Sequence, residues 1–170
     1  MRYNHGHMTL MTHAVVGASV AALIPQHPVL AFCGAFASHF LIDAIPHADY
    51  KIASASVDPN IDAPMRFDTA LLRDMVVIGS DALLGLAISL LLFVPAAPFW
   101  LIFVCASAGI LPDPLQFVYS HFRHEPLVSL QRFHHWIHTR YRMKNSPLLG
   151  VFSQALFLVI IVATTKWWVG

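Results

Sequence analysis

Charged side chains are scarce in this sequence. Asp, Glu, Lys and Arg make up 11% of its 170 residues, against about 25% in an average soluble domain. Apolar residues account for 57% and the mean hydropathy is +0.63. We therefore expect much of the chain to lie in lipid, with membrane lipid as its main partner. The net charge of +1 excludes the strongly basic surface that nucleic-acid binding requires.

Cysteine is also rare, and histidine is unusually common. Cys33 and Cys105 both fall inside apolar runs, so we interpret them as small buried side chains and not as a disulfide or a metal-binding pair. The eleven histidines outnumber all Lys and Arg residues together. Any metal chemistry in this chain is therefore expected to use imidazole and carboxylate ligands, which suit zinc, iron or manganese.

The apolar runs predict an all-α fold, a polytopic membrane helical bundle of about five membrane segments. The whole chain, 1–170, forms a single integral-membrane domain. Its parts are a helical hairpin, a second helical hairpin, a His-rich amphipathic cytoplasmic region and a final span: residues 13–45, 69–112, 113–146 and 147–168. A signal peptide ending near Ala37 is an alternative to the first hairpin, but the break Pro25-Gln26-His27-Pro28 is wrong for one.

Basic residues predict the orientation. Five segments place the N-terminus and the 113–146 region on one side, and that side carries every Lys and Arg except Lys166. Because cytoplasmic loops are enriched in Lys and Arg, this side is expected to be cytoplasmic. The sequence thus indicates a multi-pass protein of the inner (plasma) membrane.

A first candidate site lies where the first hairpin ends. His39 and Asp43 are four residues apart, so on a helix they project from one face. Pro46 then ends the helix, and the turn can bring His47 back toward the same point. A metal site is one interpretation. The alternative is a helix C-terminus with a favourable His and a polar exit loop.

Three more ionisable residues are expected at the same depth. Counting back from the far-side turns at ~1.5 Å per helical residue places His13, Asp81 and Asp113 level with His39. Ionisable groups inside membrane spans usually face the bundle interior and mark function. For Asp81, a structural pairing with Arg73 or a histidine is the alternative.

The second histidine cluster belongs to the amphipathic region. His134 and His138 are four apart, a spacing that lets two imidazoles bind one metal. His135 with His138 is an alternative pair, and His121 and His124 could add to it. An interfacial amphipathic helix with histidines on its polar face is the interpretation without a metal.

Three features together suggest a family: Thr12-His13 before a short apolar helix, the Leu-Pro-Asp sequence ending at Asp113, and the His-rich cytoplasmic face. In these the chain resembles the bacterial inner-membrane metal-dependent hydrolases, also called LexA-regulated membrane hydrolases. The segment from His39 through Asp43 to His47 is also similar to the HxxxD…PxH segment of zinc-dependent phospholipases C and single-strand nucleases. The resemblance implies zinc ligation by those three residues and hydrolysis of a phosphoester or similar bond.

These observations predict a membrane-embedded metal-dependent hydrolase acting at the cytoplasmic face on a phosphoester or on a lipid-like, amphiphilic substrate. The expected cofactor is a divalent metal, zinc in the first place, with manganese or iron as alternatives. Asp81 or Asp113 is expected to act as general base. The expected metal-site residues are His13, His39, Asp43, His47, Asp81, Asp113, His134 and His138. Two other functions stay open: a membrane di-iron oxygenase, and a non-catalytic metal or proton carrier with Asp81 in its path.

Overall fold

The computed structural model of the chain describes residues 9–45, 54, 68–138 and 147–170. Within those ranges it contains seven α-helices and no β-strand, which confirms the all-α class. In chain order the helices are α1 (Leu10–Leu23), α2 (Pro28–Asp43), α3 (Thr69–Phe93), α4 (Phe99–Ile110), α5 (Pro112–His121), α6 (Leu127–Ile137) and α7 (Pro147–Val169).

Prolines determine several of the helix ends. Helix α1 ends at Leu23, two residues before Pro25, because proline cannot supply the amide that would continue the helix. Helix α2 begins with Pro28 in its first turn, where the missing amide has no intrahelical acceptor. Pro98 similarly precedes the first residue of α4. The four helices α1 to α4 therefore form two helix pairs with tight connections.

Helix α1 lies at the centre of the bundle, packed against α2, α3, α4 and α7. Glycines allow its backbone to approach its neighbours closely. A Cβ atom on Gly17 would lie 2.4 Å from a carbonyl oxygen of α4, and one on Gly109 would lie 2.4 Å from the carbonyl oxygen of His13. A Cβ on Gly85 of α3 would lie 2.5 Å from Cα of Met11. The crossings of α1 with α3 and α4 therefore depend on glycine.

The outer surface of the bundle is apolar. Large hydrophobic side chains are exposed along α2, α3, α4 and α7, among them Leu30, Leu41, Leu72, Val76, Leu83, Leu91, Phe152 and Ile160. A contiguous apolar surface of this kind suits contact with lipid and not with water. The sequence-based prediction of an integral-membrane protein agrees with this surface.

Two helices, α3 and α7, are long and apolar enough to cross a membrane. A third span results if α4 and α5, which meet at a 50° bend, count as one broken helix. Helices α1 and α2, of 14 and 16 residues, fall short of the ~20 residues of a straight span. The described residues thus contain two or three helices of spanning length, fewer than the five predicted membrane segments.

Helices α5 and α6 pack on each other at one end of the bundle, where α6 also contacts α2. Gln131 and His134 of α6 are buried, whereas Trp136 is 74% exposed on the other side of the helix. Helix α6 is therefore amphipathic, and its buried face lies against the ends of α2 and α5. This placement brings a histidine of the amphipathic region next to the first helix pair.

Candidate metal centre

Four helices contribute to one cluster of buried ionisable side chains. His13 comes from α1, His39 and Asp43 from the last turns of α2, Asp113 from the first turn of α5, and His134 from α6. The exposed fractions of His13, His39, Asp43 and His134 are between 0% and 2%. An ionisable group removed from water to this extent needs a partner of opposite charge or a metal.

The carboxylate of Asp43 lies in the middle of the cluster. Its Oδ2 atom is 2.7 Å from Nε2 of His134 and 3.1 Å from Nε2 of His39. Its Oδ1 atom faces the other way, 3.2 Å from Nε2 of His13. The ring of His13 stacks on that of His39, with centroids 4.1 Å apart. Three imidazoles therefore surround one carboxylate.

The donor atoms lie close enough together to bind one metal ion. Nε2 of His39 lies 3.3 Å from Nε2 of His134 and 3.6 Å from Oδ1 of Asp113. One atom each from His39, Asp43, Asp113 and His134 forms a group whose members all lie within 4.8 Å of one another. Tetrahedral zinc at 2.0–2.1 Å from its ligands separates them by about 3.3 Å. The observed distances scatter around this value.

A hydrogen bond outside the cluster orients His39. Its Nδ1 atom donates to the carbonyl oxygen of Gly109, at 2.8 Å. Because that carbonyl can only accept, the proton of a neutral imidazole resides on Nδ1, and Nε2 presents a lone pair to the cluster. Metal-binding histidines are typically held in this way.

Some polar atoms of the cluster are buried without a hydrogen bond. Both ring nitrogens of His13 and Oδ1 of Asp43 have no hydrogen-bond partner among the described residues. Nε2 of His13 and Oδ1 of Asp43 are close, but their geometry is not that of a hydrogen bond. A buried unsatisfied polar group costs about 1–3 kcal/mol. A cation at Oδ2 of Asp43, between His39 and His134, would bring positive charge next to this carboxylate, and the donor set on that side fits a metal.

The least buried side of the cluster is formed by Asp113 and His138. Each of these side chains is 10% exposed. His138 follows α6 and places its Nε2 atom 4.0 Å from Oδ2 of Asp43, the longest of the distances to that carboxylate. Water or a substrate group would reach the cluster from this side.

The structure gives Asp81 a different place from the one predicted. Its Oδ2 atom accepts a hydrogen bond from the backbone amide of Met11, at 2.9 Å. Met11 belongs to the first turn of α1, whose amides have no intrahelical acceptor and attract a negative charge. In the structure the carboxylate of Asp81 caps the central helix, and Asp81 is not one of the four grouped donor residues; its role as metal ligand or general base stays a prediction. His47 lies outside the described residues.

Sequence reasoning missed two glutamines beside the cluster. Nε2 of Gln116 donates to Oδ1 of Asp113 at 2.8 Å, and Nε2 of Gln131 donates to Oε1 of Gln116 at 3.1 Å. The available signal was spacing: Gln116 follows Asp113 by three residues and Gln131 precedes His134 by three, so each shares a helix face with a cluster residue.

The cluster has to be judged on its own chemistry. No protein-family model, curated protein or solved structure matches this chain. The chain is a helical, apolar protein with a buried group of His and Asp side chains that could hold a metal ion.

Proposed function

We propose that this protein is a membrane-embedded, metal-dependent hydrolase with its site at the cytoplasmic face. One observation carries the proposal: the donor atoms of His39, Asp43, Asp113 and His134 converge from three helices in a buried place. The convergence of these side chains buries their polar groups, and this burial costs free energy. A bound divalent cation offsets that cost.

The residues that would hold the metal are His39, His134 and Asp43 through Oδ2. Two imidazoles and a carboxylate are a common ligand set of catalytic zinc, which keeps a further position open for water. Manganese and iron accept the same ligands. His13 faces the second oxygen of Asp43 at 3.2 Å and stacks on the ring of His39.

Hydrolysis suits this arrangement. A divalent metal bound here would supply a Lewis acid and would lower the pKa of a bound water to about 7. Asp113 lies on the more exposed side of the cluster, with Oδ1 3.6 Å from Nε2 of His39. Its carboxylate accepts the proton of the attacking water, the part of a general base.

The proposed substrate is a phosphoester or another amphiphilic molecule that enters from the inner leaflet. The cluster lies at the end of the bundle where α5 and α6 pack, and this end carries Arg123 and Arg132. Positive charge marks the cytoplasmic end of a membrane protein. Apolar side chains cover the flanks of the bundle up to this end, so a lipid can approach laterally.

We further propose that α1 and α2 lie in the bilayer as a hairpin, which makes five membrane segments. Helix α1 is surrounded by other helices, so its length does not have to match the thickness of the lipid. Leu30 and Leu41, near the two ends of α2, are both more than half exposed, as expected for a helix that faces lipid.

Metal analysis tests the proposal. Wild type and the variants His39→Ala, Asp43→Ala and His27→Ala are purified in one detergent after growth with added zinc, manganese and iron. Elemental analysis should find bound metal in wild type and in His27→Ala, because His27 lies in the exposed connection between α1 and α2. It should find little in the two cluster variants. Near-zero metal in wild type would refute the proposal.

Turnover and transport assays separate hydrolysis from the alternatives. The metal-loaded protein should hydrolyse a chromogenic phosphoester, and chelation should abolish the activity. Bound iron with a di-iron optical signature would indicate an oxygenase. Metal or proton flux in proteoliposomes without ester turnover would indicate a carrier.

A further inference from the structure

We propose that Gln116 and Gln131 are positioning residues that hold Asp113 against the cluster and thereby raise the affinity of the site for a divalent metal. This inference rests on the proposed metal centre, and it assigns a role to two amides on α5 and α6. The amide of Gln116 contacts Asp113, and the amide of Gln131 contacts Gln116.

The direction of the hydrogen-bond chain follows from its last member. An ionised carboxylate only accepts, so the amide nitrogen of Gln116 must face Oδ1 of Asp113. The amide oxygen of Gln116 then points away from Asp113 and accepts from Nε2 of Gln131. Each amide therefore has one orientation, and both act on the carboxylate in the same sense.

Burial makes this chain of hydrogen bonds rigid. Gln116 is 7% exposed and Gln131 is 4% exposed. A buried amide that loses its partner has no water to replace it, so each hydrogen bond is expensive to break. Asp113 is consequently held at one rotation of its carboxylate, with Oδ1 toward His39.

The chain of hydrogen bonds also connects two helices that each provide a cluster residue. Asp113 begins α5, and His134 lies one turn after Gln131 on α6. The bond between Gln116 and Gln131 thus fixes the two helices to each other beside the cluster. Without it, Gln116 would lose its anchor and Asp113 would have to be ordered when the metal binds, and that ordering weakens binding.

Zinc affinity is the direct readout. Gln116→Met keeps the length of the side chain and removes both hydrogen bonds of the amide. The dissociation constant for Zn²⁺ is measured by competition with a chromogenic chelator in one detergent. Asp113 places a negative charge beside the site, and Gln116 fixes the position of that charge. Removing an outer partner of this kind weakens metal binding about 10–100-fold, and we expect a loss of this size. Gln131→Met removes the hydrogen bond that anchors Gln116 and should show a smaller loss.

A matched control and a double-mutant cycle separate positioning from general damage. Gln154→Met also removes a buried amide that bridges two helices, since Oε1 of Gln154 accepts from Thr9. It should leave zinc affinity at the wild-type value. In an Asp113→Asn background, Gln116→Met should cause little further loss, because its effect passes through Asp113.

The outcomes are distinguishable. Wild-type protein that binds no zinc refutes the metal centre itself. Zinc binding in wild type with an unchanged affinity in Gln116→Met refutes the positioning role alone, and so does a full additional loss in the Asp113→Asn background. If Gln116→Met does not fold, Gln131→Met decides in its place: an unchanged affinity there overturns the inference.

Discussion

The carbonyl oxygen of Gly109 accepts a hydrogen bond from Nδ1 of His39, at 2.8 Å. Gly109 also lies against the backbone of His13, where a Cβ atom would come within 2.4 Å of the carbonyl oxygen. One glycine of α4 therefore positions two histidines of the cluster, on two other helices. The close packing of α1 on α4 and the geometry of the candidate metal centre therefore both depend on Gly109.

Gly109→Ala should damage both the packing of α1 on α4 and the candidate metal centre. The added methyl group meets backbone, which cannot move aside as a side chain does, so α1 and α4 must separate. Overpacking of this kind lowers the free energy of unfolding by about 1–3 kcal/mol. We also expect zinc affinity to fall at least about tenfold, because His39 loses its orienting acceptor. Thermal unfolding and chelator competition in detergent measure the two effects.

Gly79→Ala is the matched control. Gly79 lies inside α3, and a Cβ atom there would have no heavy atom within 4 Å. Replacing a helical glycine by alanine without a clash stabilises by about 0.5–1 kcal/mol. Unchanged zinc affinity in both variants would show that the carbonyl of Gly109 does not position His39.

Asp81→Asn should lower stability without removing metal. The carboxylate accepts from the amide of Met11 in the first turn of α1, and losing its charge weakens a helix-capping contact. We expect the free energy of unfolding to fall by about 1 kcal/mol. Zinc content and affinity should match those of wild type. A loss of zinc instead would restore Asp81 to the metal site, as its position in the sequence first indicated.

Asp81 illustrates what a single sequence can and cannot predict. The i, i+4 spacing of His39 and Asp43 is local, so helical periodicity correctly predicts that both lie on one face. Pro25 and Pro28 likewise mark the break between α1 and α2 because proline acts on adjacent residues. A carboxylate inside an apolar run is different. A metal, a basic side chain or the end of another helix can each satisfy such a carboxylate, and only the three-dimensional packing decides among these.

The glutamines were missed for a related reason. Gln116 and Gln131 are ordinary polar residues of amphipathic helices. Their spacing from Asp113 and His134 indicates a shared helix face, but it does not indicate whether that face is buried or solvated. Their importance arises from the packing of α5 on α6, which brings residues fifteen positions apart to 3.1 Å. The short length of α1 also depends on packing. Because other helices enclose α1, it does not need the length of a span that faces lipid.

Zinc should stabilise the folded protein, and His134 should be required for it. A ligand at a hundredfold excess over its dissociation constant adds about 2.7 kcal/mol to the free energy of unfolding. Tryptophan fluorescence in detergent should record this as an increase in Tm that a chelator reverses. In His134→Ala the increase should be lost, because Nε2 of His134 lies 2.7 Å from Oδ2 of Asp43.

The neighbouring histidine provides the comparison for this measurement. His135 is exposed on the same helix, so His135→Ala should keep the full zinc-dependent increase in Tm. An equal increase in wild type, His134→Ala and His135→Ala would mean that zinc binds elsewhere, and the cluster would lose its assignment as the metal centre.

The orientation in the membrane gives the last prediction. The positive-inside rule places the N-terminus and the 113–146 region in the cytoplasm and Gly170 outside. A C-terminal alkaline phosphatase fusion in bacteria should be active and a C-terminal fluorescent-protein fusion dark; the reverse pattern would place the histidine cluster outside.

The C-terminus lies on the same side of the membrane whether or not α1 and α2 cross the bilayer as a pair, so the hairpin requires its own test. In a Cys33→Ser background, His27→Cys puts a thiol in the exposed connection between α1 and α2. A membrane-impermeant thiol reagent should label it in intact spheroplasts, because five membrane segments put this connection on the outer side. Labelling only after lysis would leave α1 and α2 on the cytoplasmic side and reduce the number of membrane segments to three.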